Sequence, residues 1–137
     1  MKKKNLFVID SLNIGGAEKS LVTLLNLIDF VKYEVHLQMF AMGGVFEMFI
    51  PKEVNILPCI KGKSIIRHLV FSLLIRLKKY KHAEIARIYW KTIGTKLPVD
   101  KTYYDVSIGY GQCLPTFFVV DKTMARKKLL GLIVCTI

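Results

Sequence analysis

The feature that most constrains this chain is the change of apolar period across its first forty residues. Asn5 to Asp10 is a short β-rich apolar run that ends in a turn through Ser11, Asn13, Gly15 and Gly16. From Ala17 onward the apolar positions fall at Leu21, Leu24, Leu25 and Ile28, the i, i+3, i+4, i+7 spacing of a helix with one buried face. Alternation returns at Tyr33 to Phe40, where Val35, Leu37 and Met39 interleave with Glu34, His36 and Gln38. Strand, glycine loop, helix and strand in that order predict a parallel pair joined by a crossover helix.

The alternation continues to the end of the chain. Met42, Gly43 and Gly44 close the second strand, Phe46 to Ile50 reads as a brief helical turn broken by Pro51, and Val54 to Leu57 as a third strand before Pro58. Ser64 to Lys79 and His82 to Leu97 read as helices, Tyr104 to Tyr110 as a strand, and Leu114 to Met124 as a short helix. Leu129 to Val134 is a continuous apolar run, the pattern of a fifth, buried parallel strand. The expected class is α/β: one Rossmann-like domain over residues 1–137, built on a doubly wound parallel sheet. Ligands of such sheets lie at the carboxyl ends of the strands, which directs attention to the loop Ser11 to Gly16.

Composition narrows the classes. At 137 residues and 53% hydrophobic content the chain has enough apolar material for one core, which excludes disordered and collagen-like architectures. Cys59, Cys113 and Cys135 are far apart, so no disulfide framework or zinc site is expected, and a cytoplasmic setting follows. Lys2, Lys3 and Lys4 imitate the start of an export signal, but the apolar run behind them stops at Asp10. The most apolar window, Ile65 to Leu77, carries Arg67, His68 and Arg76 and is too short to span a bilayer.

Charge is unevenly placed. Against a formal total of +11, residues 61–101 hold eleven Lys and Arg and only two acids, Glu84 and Asp100. In Ser64 to Lys79 a broad apolar arc is edged by cations, so Lys63, Arg67, Arg76, Lys78 and Lys79 are candidates for contact with an anionic membrane surface. The same arc also suits packing on a sheet, with the bases solvated. Nucleic acid is not the expected partner, because Phe71, Tyr80, Tyr89 and Trp90 are not interleaved with bases on a strand platform.

Paired glycines opening a helix let a backbone approach a ligand closely, and the free amides with the helix dipole attract an anion. Gly15 and Gly16 therefore either receive a phosphate or diphosphate or simply make a tight turn. Neither G-x-G-x-x-G nor G-x-x-x-x-G-K-[ST] occurs, which argues against a nicotinamide dehydrogenase and a P-loop enzyme. Asp10 stands where it would reach a ligand hydroxyl, cap a helix or serve the loop, and Tyr110 and Gln112 close the fourth strand on the same cleft edge if the sheet is wound in this way. His36, His68 and His82 share no metal-ligand spacing and read as solvated or packed side chains, and Cys113 has no evident histidine partner.

The opening strand, the loop Ser11 to Gly16, and Gly15-Gly16-Ala17-Glu18-Lys19 leading into Ser20-Leu21-Val22-Thr23-Leu24-Leu25-Asn26 closely resemble the amino terminus of glycosyltransferases of the family 4 type, which have the two-lobed GT-B fold. Gly44 to Leu57 and Tyr104 to Lys122 are similar to later segments of bacterial members. The resemblance implies an acceptor-side lobe that faces a nucleotide-sugar donor and a glycan or lipid-linked acceptor, with no further cofactor or metal. It places Gly15 and Gly16 against the donor diphosphate and makes Asp10, Asn13, Glu18, Tyr110 and Gln112 acceptor-side candidates.

The chain departs from that family in two ways. The carboxyl-terminal donor-binding lobe, with its paired glutamates, is absent, and Ile133-Val134-Cys135-Thr136-Ile137 stand where relatives commonly place a histidine. The expectation is a truncated or frame-shifted product, inactive alone. The alternative is a non-catalytic binding lobe that works with a separately encoded donor-binding subunit.

Overall fold

The computed structural model describes residues 1–59, 73 and 82–131. Five parallel strands, β1 (Lys3–Ile9), β2 (Tyr33–Met39), β3 (Asn55–Ile56), β4 (Tyr103–Gly109) and β5 (Met124–Leu130), form one sheet in the order β3-β2-β1-β4-β5. Described helices are α1 (Gly16–Leu27), α2 (His82–Ile93) and α3 (Leu114–Lys122), with 3-10 turns at Val45–Phe49 and Gly94–Lys96. The expected Rossmann-like doubly wound class is the observed one. The chain first steps outward from β1 through β2 to β3, then returns to the other side of β1 at β4.

Side-chain alternation along β1 feeds two cores. Phe7 and Ile9 join Leu21, Val22 and Leu25 of α1 together with Val35, Leu37, Met39 and Ile108. Leu6 and Val8 join Trp90 of α2 and Phe118 and Val119 of α3. A strand buried on both faces is the mark of a sheet wrapped by helices on each side. Trp90 ties the second layer together, its Nε1 donating to Asp121 Oδ2 at 2.6 Å while its ring leans on Phe117 with centroids 5.9 Å apart.

A polar chain crosses the amino end of the sheet. Glu34 Oε1 and His36 Nε2 are 3.0 Å apart, His36 Nδ1 is 3.1 Å from the Tyr104 hydroxyl, and that hydroxyl donates to Asp100 Oδ2 at 2.8 Å. Burial, with the bond to Asp100 second, pushes the Tyr104 hydroxyl well above the ordinary phenol range. The bond from His36 is the main cause that holds the Glu34 carboxyl below its usual range, and the Lys4 ammonium at 3.6 Å assists. His36 is thus a packed side chain with both ring nitrogens engaged, the structural role expected of it.

One element lies elsewhere than the apolar pattern predicts. The fifth strand is Met124–Leu130, which shares only Leu129 and Leu130 with the expected run Leu129–Val134, whose residues 132–134 lie outside the described ones, and six of its seven residues are exposed. The run Arg126-Lys127-Lys128 conceals it, because an edge strand is open to water and tolerates charge that a central strand would not. The expected helix Ser64 to Lys79, with Lys63, Arg67, Arg76, Lys78 and Lys79, lies outside the described residues. None of the helices among the described residues is long and apolar enough to cross a membrane.

Candidate functional site at the strand-order reversal

The order reverses between β1 and β4, the place where open parallel sheets bind ligands beyond the carboxyl ends of their strands. Backbone bonds fix the exits of both strands. Tyr110 N donates to Val8 O at 2.7 Å, which holds the exit of β4 against β1. Phe40 N and Ala41 N donate to Asp10 O at 3.0 and 2.9 Å, and Phe46 N donates to Leu12 O at 2.9 Å, which clamps the glycine loop to the exit of β2. That clamp needs Gly44, because a Cβ there would collide with the Leu12 carbonyl group.

Asp10 follows directly on β1. Its backbone is pinned, but its carboxylate has no hydrogen-bond partner among the described residues and lies 3.9 Å from where a Cβ on Gly111 would stand. The residue is exposed to water. The protein crowded around the strand end nevertheless pushes its carboxyl up to about 6, and repulsion from the Glu18 carboxylate adds to the effect. Such a group is a better proton acceptor near neutrality than an ordinary aspartate.

Gly15 is the N-cap of α1 and Gly16 its first residue. No side chain hydrogen-bonds this helix start, and Glu18 instead folds over it, with its carboxylate occupying the space a Gly15 side chain would need. Gly16 is exposed and faces open space, so that a methyl group added there would meet nothing within 4 Å. The amides are therefore reachable on the Gly16 side, while a flexible acid sits over the Gly15 side.

The other expected residues separate by role. Tyr110 is only 5% exposed, its ring packs at 6.3 Å from Phe7, and its hydroxyl lies 2.8 Å from Ser20 Oγ, so it is a strut between β4 and α1. Asn13 is exposed and donates to Ser11 Oγ at 3.1 Å, within its own loop. Gln112 is exposed in the turn after β4. The structure thus brings Asp10, Gly15, Glu18 and Gly111 together at the carboxyl end of β1, with Asn13, Gly16 and Gln112 exposed in the same loops.

The contacts of three participants carry no signal that sequence reasoning could read. Ser20 positions Tyr110 from the second turn of α1, Gly44 lets the β2 exit loop close on Leu12, and Gly111 carries a φ of +155° next to Asp10. The glycine doublets are legible as turns, but their contacts span distant parts of the chain. Cys113, at the N-cap of α3, adopts φ +61° and ψ −105°, a conformation that strains a residue with a Cβ. Among the described residues no histidine bonds to it, and no group of three His, Cys, Asp or Glu side chains gathers that could hold a metal.

Comparison with known proteins returned no match, either to a protein-family model or to a curated protein.

Proposed function

We propose that this domain is the acceptor-side lobe of a glycosyltransferase that moves a sugar from a nucleotide-sugar to a cell-surface polysaccharide or lipid-linked acceptor, working in the cytoplasm at the inner membrane face. The observation that carries the reading is the convergence of the glycine loop after β1 and the turn after β4 at the strand-order reversal, with the Asp10 carboxylate between them. In this reading the Gly16 amide and the start of α1 stabilise charge that grows on the departing diphosphate. Glu18 swings off Gly15 as the donor arrives. Asp10 takes the proton from the acceptor hydroxyl, whose oxygen bonds to the anomeric carbon while the bond from that carbon to the diphosphate oxygen breaks.

Exposed apolar side chains beside the glycine loop support a covering partner. Ile14 is 84% exposed, and Met42 and Val45 are 50% and 55% exposed on the loop that clamps it. A donor-binding lobe, or a separate subunit in the alternative reading, would bury them.

Titration of the labelled chain with uridine and guanosine diphosphates, alone and with a donor-binding lobe added in trans, tests the proposal. Amide shifts centred on Gly15, Gly16 and Gly111 are expected. Gly16→Ala should raise stability by about 0.5–1 kcal/mol, since alanine is the better helix former, yet weaken diphosphate binding by crowding the amide. Undisturbed amides at all three positions in both experiments would overturn the reading.

A further inference from the structure

The two edges of the sheet differ. On one side it ends in β3, a two-residue strand, which is how natural sheets keep an edge from pairing. On the other it ends in β5, seven residues long and matched to β4 from Tyr103↔Met124 through Gly109↔Leu130. No strand pairs with the outer side of β5 among the described residues. Parallel strands are ordinarily covered on both faces, yet β5 leaves Met124, Leu129 and Leu130 between 45% and 51% exposed.

The charge on this edge indicates what it receives. Arg126, Lys127 and Lys128 are consecutive, and none has a carboxylate partner among the described residues. Because neighbouring residues point to opposite faces, cations stand on both sides of the ladder. A second copy of β5 would set like charges beside one another, which disfavours self-pairing. An extended segment with acids at alternate positions would set them on the face of Arg126 and Lys128, while its apolar residues covered Leu129 on the other face.

We propose that β5 is a docking edge that accepts, as a sixth strand, an acidic extended segment of another polypeptide. Main-chain bonds supply the pairing, and the cations on one face, Arg126 and Lys128, select for acidic sequence. This does not depend on the activity proposed above, and neither Asp10 nor the glycine loop takes part.

The test uses the labelled full chain and a capped peptide of alternating valine and glutamate long enough to span β5, with a valine–lysine peptide as control. The glutamate peptide should slow hydrogen exchange at residues 124–130 and bind about tenfold more tightly at low salt than the lysine peptide, an advantage that shrinks as salt is added. The triple variant Arg126→Glu, Lys127→Glu, Lys128→Glu should reverse the preference. If that variant does not fold, Arg126→Glu alone, at an exposed position, should reduce it. Equal binding of both peptides, protection elsewhere in the chain, or a preference unchanged by the substitutions would overturn the proposal. So would a dimer that protects the same amides, or stronger protection of them by RNA or anionic vesicles than by the peptide.

Discussion

Asp10 couples the site to stability. In the folded chain its carboxyl keeps a proton up to about pH 6, against an ordinary value of 3.8. Folding therefore binds a proton between those two values, and stability falls as pH rises through that window. A pKa unit corresponds to about 1.4 kcal/mol, but the side chain is partly in water, and screening brings the net effect to about 1 kcal/mol. Asp10→Asn should gain about that much at neutral pH and flatten the slope in denaturant melts, while abolishing transfer if Asp10 is the base. Glu34 runs the other way: its lowered carboxyl contributes stability at neutral pH that is lost as pH falls through the acid range. Cys113 yields a further residue-scale expectation. Glycine accepts φ +61° without strain, so Cys113→Gly should stabilise the chain by about 1 kcal/mol, measured as a rise in Tm.

Among the elements, those buried against a core are the most legible in sequence. The period-two run of β2 and the heptad-like spacing of α1 report such burial, and the observed bounds Tyr33–Met39 and Gly16–Leu27 lie within a residue or so of the pattern. The apolar pattern misplaces β5 because its environment is an edge, where charge and solvent replace the apolar signature. For the site, sequence reveals which loop matters and which acid ends β1. It does not reveal that Tyr110 spends its hydroxyl on Ser20, a residue ninety positions earlier, because only the parallel pairing of β1 with β4 brings them together. Between helices, the Trp90–Asp121 bond joins α2 to α3. Trp90→Phe keeps most of the apolar contact but loses the bond to the exposed Asp121 carboxylate, which turns to water, and should cost about 1 kcal/mol in urea unfolding.

For the whole molecule, the two cores depend on β1, whose side chains alternate between them. Leu21, fully buried against one face, should cost about 2–5 kcal/mol on replacement by alanine, enough to threaten a domain of ordinary stability. The net charge of +11 favours association with anionic partners at low ionic strength, and the uneven placement of cations makes that association directional. Salt titration of any such complex should show steep weakening.

The pairing of β1 with β4 also sets a timetable. Lys4 N is bonded to the Asp105 side chain across 101 positions, and Tyr110 N to Val8 O beside it. A ribosome adding roughly 5–20 residues per second must make most of the chain before the first strand meets its second neighbour. Throughout that interval β1 has β2 at one flank and nothing at the other, so a nascent chain passes several seconds with its central strand half unzipped, and any chaperone that attends it has that flank to hold.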